Sequence, residues 1–130
     1  MIINLLKQCL KKSHGYSELR YHKRDTFTVS VKDGKIDILN RGTVEGACAR
    51  TLMDGSWGFS STTLLEKDKI EEILENAASL AEASRPKKKR AIKLASVKPY
   101  VDKYETPMKI DPRKTSREEL VRLVIDVDKN

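Results

Sequence analysis

Glu45-Gly46-Ala47-Cys48-Ala49-Arg50-Thr51-Leu52-Met53-Asp54-Gly55-Ser56-Trp57-Gly58-Phe59-Ser60-Ser61-Thr62 is the stretch on which the fold turns. Its first part alternates, with Ala47, Ala49 and Thr51 on one side of a strand and Cys48, Arg50 and Leu52 on the other. Asp54-Gly55 interrupts the alternation, and residues 57–60 return. Asp-Gly between two alternating runs is a strong hairpin signal, because a tight primed turn needs positive φ at both central residues. The small residues Gly46, Ala47, Cys48 and Ala49 predict close approach by a packed helix or a neighbouring strand.

The same device occurs upstream. Phe27, Val29 and Val31 alternate with Thr28, Ser30 and Lys32, Asp33-Gly34 follows, and Ile36 and Ile38 alternate with Asp37 and Leu39. Before them, residues 16–23 set Ser17, Leu19 and Tyr21 against Tyr16, Glu18, Arg20 and His22. Taken run by run, this predicts about five short antiparallel strands with two Asp-Gly hairpins.

Helical periodicity flanks the strands. Ile2, Leu6, Cys9 and Ser13 share a stripe widened by Ile3, Leu5 and Leu10, with His14 near the helix end and Gly15 as a stop. Over 67–83, Ile70, Ile73, Leu74, Ala77, Ala78, Leu80 and Ala81 make a broad apolar face, and Glu66 and Asp68 suit the positive end of the helix dipole. A third helix is expected from Ser116 to Asn130, capped by Thr115 or Ser116 with Glu118 or Glu119 reaching back. Its stripe is Leu120, Leu123, Val124 and Val127. All four prolines lie at 86, 99, 107 and 112, so the stretch before that helix should be extended and irregular.

The expected fold is therefore α+β, an antiparallel sheet of about five strands with the first two helices packed on one face. The expected divisions are an α+β module over 1–84, a basic linker over 85–115 and a helix over 116–130. Phe27, Val29, Val31, Ile36, Leu52, Ile70, Ile73, Leu74 and Ala77 are the expected core.

The chain has 130 residues, 38% apolar and 35% charged, which suits one domain with a modest core. No apolar run approaches the ~18 residues that would cross a bilayer. The N-terminus lacks the basic region of a signal peptide. Two distant cysteines, Cys9 and Cys48, make no disulfide framework, so a cytoplasmic protein is expected.

The net charge of +7 is local. Seven basic residues and no acidic one lie between 85 and 101, and the rest of the chain is neutral. Such a run reads first as a solvated linker held extended by like-charge repulsion. Within it, Lys87, Lys88, Lys89 and Arg90 are candidates for an anion contact, and Pro86-Lys87-Lys88-Lys89-Arg90 also matches a nuclear-import pattern. Charge confined to one segment argues against nucleic-acid binding as the main function, since dedicated binders carry it on a folded face.

The sequence offers no catalytic constellation. His14 and His22 are the only histidines and form no HExxH pair, the cysteines lack CxxC spacing, and GxxxxGK(S/T), GxGxxG and GxSxG are absent. No catalytic, cofactor-binding or metal-binding residue is assigned, and no peptidase activity is expected of the chain alone.

Tyr16-Ser17-Glu18-Leu19-Arg20-Tyr21, Val31-Lys32-Asp33-Gly34-Lys35-Ile36 and the opening block together resemble one family. The block resembles the G-x-x-x-R-x-L-x-D-G-x-W-G-F-(A/S)-S-T signature of the TldD/PmbA metallopeptidases, also called modulators of DNA gyrase. The helix over 70–83, Asp111-Pro112 and the helix from Ser116 follow in that family's order, and the Trp-Gly-Phe-Ser-Ser-Thr wording is closer to the TldD branch. The resemblance implies a cytoplasmic zinc peptidase acting on short or unfolded peptides as a heterodimer with a PmbA-type partner subunit. Its zinc motif, His-Glu-x-x-x-His, would lie in a later part of a longer chain. What carries over is an N-terminal domain acting as scaffold, cleft wall or subunit interface, with Arg50, Trp57 and Phe59 as candidate interface or cleft residues. The competing expectation is a stand-alone, non-enzymatic module that contacts nucleic acid or another anionic partner through 85–101.

Overall fold

The computed structural model describes residues 1–13, 15–87 and 89–129. In chain order it has α1 (Ile2–Leu10), β1 (Tyr16–Lys32), β2 (Lys35–Met53), β3 (Ser56–Thr62), α2 (Lys67–Ser84) and α3 (Arg117–Asp128), with a 3-10 turn at Arg85–Lys87 after α2. The strands form one sheet in the order β1-β2-β3. Both Asp-Gly pairs are the expected turns, with φ of 52° and 70° at Asp33 and Gly34 and 48° and 77° at Asp54 and Gly55.

The architecture is α+β, but five predicted runs become three strands. β1 takes in both early runs, and β2 joins the run at Ile36 to the run at Ala47. The apolar alternation lapses around residues 23–26 and 40–44 while the backbone stays extended. Polar cross-strand bonds hold it there: Thr26 Oγ1 donates to the Gly42 carbonyl (3.1 Å) and Thr43 Oγ1 to Asp25 Oδ1 (2.6 Å). An exposed ribbon needs no apolar face to remain a strand.

By contacts the chain forms two units, one of residues 1–24 and 44–96, the other of 25–43 and the chain from 97 onward. In the first unit α1 and α2 cover one face of the sheet. Leu6 and Cys9 of α1, Ala47 and Ala49 of β2, and Ile70, Ile73, Leu74 and Ala77 of α2 form its core. Lys12, in the turn just after α1, pairs with Glu71 of α2 at 2.8 Å. Cys9 behaves as a small buried hydrophobe, and burial pushes its thiol pKa up. Thr51, 1% exposed, satisfies its hydroxyl against Ser17 at 3.0 Å.

Gly58 sets how closely the layers approach. A Cβ there would overlap the Ala77 carbonyl oxygen and lie 2.5 Å from the Ala81 nitrogen, so the α2 backbone rests directly on β3. The small residues expected to meet a close neighbour were Gly46, Ala47, Cys48 and Ala49, and at Gly46 a Cβ would lie 2.7 Å from the Thr62 carbonyl oxygen of the neighbouring β3.

Five expected core residues are not fully buried. Leu52 is half-buried in the alternate frame of β2, whose buried frame is the small one, Ala47-Ala49-Thr51. Phe27, Val29 and Val31 are only half-buried and Ile36 is 46% exposed. These four belong to the second unit, in which no described residue is fully buried.

In that unit Ser116 caps α3, its Oγ accepting from the Glu119 N–H at 3.1 Å. The Gly34 N–H donates to the Asp128 carboxylate at 2.6 Å. The half-buried face of α3 is Leu120, Val121, Val124 and Ile125, whereas Leu123 and Val127, expected on the stripe, are 60% and 68% exposed. Asn130, the expected helix end, and His14 lie outside the described residues.

The described residues from Lys89 to Thr115 form neither helix nor strand, as the prolines imply. Near its start this stretch is pinned within the first unit, where the Ile92 N–H donates to the Gly55 carbonyl at 3.0 Å. Arg85 also pairs with Asp54 at 3.1 Å.

Candidate functional site: the open face of the sheet

With Ser17, Leu19 and Tyr21 turned toward the helices, the alternation of β1 sends Tyr16, Glu18, Arg20 and His22 to the uncovered face. Arg50 of β2 and Trp57 and Phe59 of β3 share that face. The register pairs Arg50 with Phe59 and Leu52 with Trp57, so Arg50 and Trp57 are diagonal neighbours.

They form a stack. The guanidinium carbon of Arg50 lies 4.4 Å from the centroid of the Trp57 ring, a cation–π contact. Tyr16 meets the same indole edge-on, with centroids 6.1 Å apart and planes at 76°. Arg50 Nη2 donates to both oxygens of Glu18 at 2.8 and 2.9 Å, and the Tyr16 hydroxyl donates to Glu18 Oε1 at 2.8 Å. Phe59 remains 57% exposed beside them.

Arg50, and then Tyr16, hold the Glu18 carboxyl below its ordinary 4.5 by hydrogen bonding to its charged form, and the same bonds raise the pKa of Arg50 and Tyr16. A carboxylate depressed in the folded state stabilises the fold above its unfolded pKa, and that contribution is lost as pH falls through the folded value. The pair is exposed, so the contribution is small. Arg50→Met should move the Glu18 titration, followed by NMR at its side-chain carboxyl carbon, up toward 4.5. An unshifted titration would show that the pair does not form in solution.

The structure thus brings the three sequence candidates, Arg50, Trp57 and Phe59, onto one face. It adds two that sequence reasoning passed over, Tyr16 and Glu18. Their signal was the polar half of the alternation over 16–22, which marks a shared face without saying what lies opposite. Lys87 in the 3-10 turn and Lys89 and Arg90 beyond it are exposed and take no part in this cluster. Lys88 lies outside the described residues.

Farther along the same face, Arg20, His22 and Arg24 line a groove of about 740 Å³ over Gly46, Cys48 and Ser61. Among the described residues no three His, Cys, Asp or Glu side chains converge to hold a metal, so these residues do not fit the zinc that the resemblance implies. No described helix is long and apolar enough to cross a membrane.

In the first unit two helices cover one face of the sheet and leave the other open, a two-layer α+β arrangement. Residues 17–81, from β1 through most of α2, match the family model described as PmbA/TldA metallopeptidase domain 1. The chain belongs to the TldD/PmbA metallopeptidase family, of which this stretch is the first domain.

Metalloprotease MJ0996 of Methanocaldococcus jannaschii is 30% identical over 115 residues, 88% of this chain and 26% of that protein. The crystal structure of TldE from Thermococcus kodakarensis superposes with a TM-score of 0.59 at 22% identity, covering 99% of this chain and 30% of that one. That likeness is one of fold. The chain spans about a quarter of the length of the curated relative it matches.

Proposed function

We propose that the chain serves as the first domain of a TldD-type zinc metallopeptidase that acts on short or unfolded peptides in the cytoplasm. In this reading it supplies scaffold, cleft wall or subunit interface toward a PmbA-type partner, while the metal chemistry resides elsewhere in a longer assembly. The observation that carries the reading is the family match over 17–81, which takes in the β2 and α2 part of the core and the Arg50–Trp57 contact. The name of the Methanocaldococcus relative, a metalloprotease, agrees with it. A guanidinium locked between a carboxylate and an indole is a preorganised surface, as a cleft wall requires. No observation favours the nucleic-acid alternative for residues 85–101.

The test joins this chain to a continuation bearing His-Glu-x-x-x-His and adds a PmbA-type partner. Chelator-sensitive cleavage of an unfolded peptide is expected from the assembly and not from the 130-residue chain alone. Trp57→Ala should lower kcat/KM about tenfold, the scale of one lost contact of about 1.4 kcal/mol in the transition state. Full-rate, zinc-dependent cleavage by an assembly lacking residues 17–81 would overturn the reading.

A further inference from the structure

The groove beside the Arg50–Trp57 stack has a floor of small residues, Gly46, Cys48 and Ser61, and a wall made by Arg20, His22 and Arg24. The three wall residues are alternate positions of one strand, so their Cα atoms repeat at roughly 6.7 Å. Among the described residues none of them forms an ion pair. Glu45 also lines the groove, where it is engaged by the Tyr21 hydroxyl at 3.0 Å and Lys23 at 3.8 Å, and the nearby Glu18 is engaged by Arg50 and Tyr16.

We propose that this groove binds an extended polypeptide segment carrying acidic side chains at alternate positions. Such a segment repeats its same-side carboxylates at the spacing of Arg20, His22 and Arg24, and the small floor leaves room for its backbone. Single-stranded nucleic acid would also present spaced negative charge, but its binding sites add open aromatic faces on which bases stack. Here Arg50 covers one face of Trp57, and although Tyr16 and Phe59 are exposed, no Phe, Tyr or Trp is among the described residues that line the groove. The groove therefore suits carboxylates better than bases. The inference rests on the reading above for its biological setting, as a preference for acidic peptides at the cleft wall, but the binding itself does not depend on peptidase activity.

Isothermal titration of the 130-residue chain with an alternating Glu-Ala peptide of about ten residues tests it, against the matched Gln-Ala peptide and an oligothymidylate. The Glu-Ala peptide should bind about tenfold tighter than Gln-Ala, the sum of a few exposed ion pairs, and the difference should shrink as salt is raised. Arg20→Gln with Arg24→Gln should erase the preference, whereas Arg20→Lys with Arg24→Lys should keep it, circular dichroism showing both variants folded. Equal binding of the Glu and Gln peptides, tighter binding of the oligothymidylate, or a preference that survives the Gln double variant would overturn the proposal. A zinc-dependent assembly that cleaves peptides while this chain shows no acidic preference would end this inference and leave the proposed function standing. Acidic-peptide binding by a chain that joins no peptidase would do the reverse.

Discussion

Gly58→Ala is expected to cost the first unit upwards of about 3 kcal/mol, at or beyond the upper end for overpacking, and to lower its melting temperature sharply. The atoms in the way are the Ala77 carbonyl and the Ala81 nitrogen, both backbone of α2, which cannot swing aside as a long side chain could. Relief would require the whole helix to lift from β3 and open the contact that buries Ala77 and Ala81. Gly42→Ala is the control, since the nearest atom to a new Cβ there is the Thr26 hydroxyl at 3.4 Å, and it should change stability by no more than about 0.5 kcal/mol. Thermal unfolding followed by circular dichroism reads both. Equal melting of Gly58→Ala and the parent would refute the direct backbone-on-backbone packing.

Ile70→Ala should cost about 3–4 kcal/mol by urea denaturation, in the upper half of the range for such truncations. Ile70 is fully buried and is the largest such side chain in the chain's described residues. Its companions in the core include Ala47, Ala49, Cys9 and Ala77, short side chains that cannot extend into the space it leaves. The cavity therefore persists, and its cost adds to the lost transfer free energy. Alanine's better helix propensity returns only a few tenths of that. Leu80→Ala on the same helix, where the side chain is 50% exposed, should cost far less. A loss below about 1 kcal/mol at Ile70 would mean the layers close around the gap.

The two turns were legible because Asp-Gly states a local requirement, positive φ at consecutive residues, that no distant contact needs to supply. The α2 face at Ile70, Ile73, Leu74 and Ala77 was legible for a similar reason, since its apolar period is carried within one helix. The strand count was not, because residues 23–26 and 40–44 are held in the sheet by polar side-chain bonds that leave no apolar alternation. Leu52, expected in the core, lies on the other side of β2 from the buried Ala47, Ala49 and Thr51. In this fold the core side of the strand is its small side, as the α2 backbone sits close to the neighbouring β3. The two-residue Asp54-Gly55 turn sets the β2–β3 register and with it the diagonal placement of Arg50 and Trp57, but the stacking of the guanidinium on the indole is side-chain geometry that no pattern states. Glu18 enters from a third strand, 32 residues away in the chain.

Trp57 is the single tryptophan of the chain, half-buried, with Arg50 over its ring and Tyr16 at its edge. That placement makes the unlabelled protein its own optical reporter. The colour of indole emission follows how much water reaches the ring, and its brightness follows what touches it, while a tyrosine 6.1 Å away passes excitation to it by energy transfer. Unfolding that exposes the ring should shift the emission to the red and cut the transfer from Tyr16. A ligand that merely draws the Arg50 guanidinium off the ring should alter brightness while the transfer from Tyr16 persists. The light from one residue thus separates loss of the fold from occupancy of its open face.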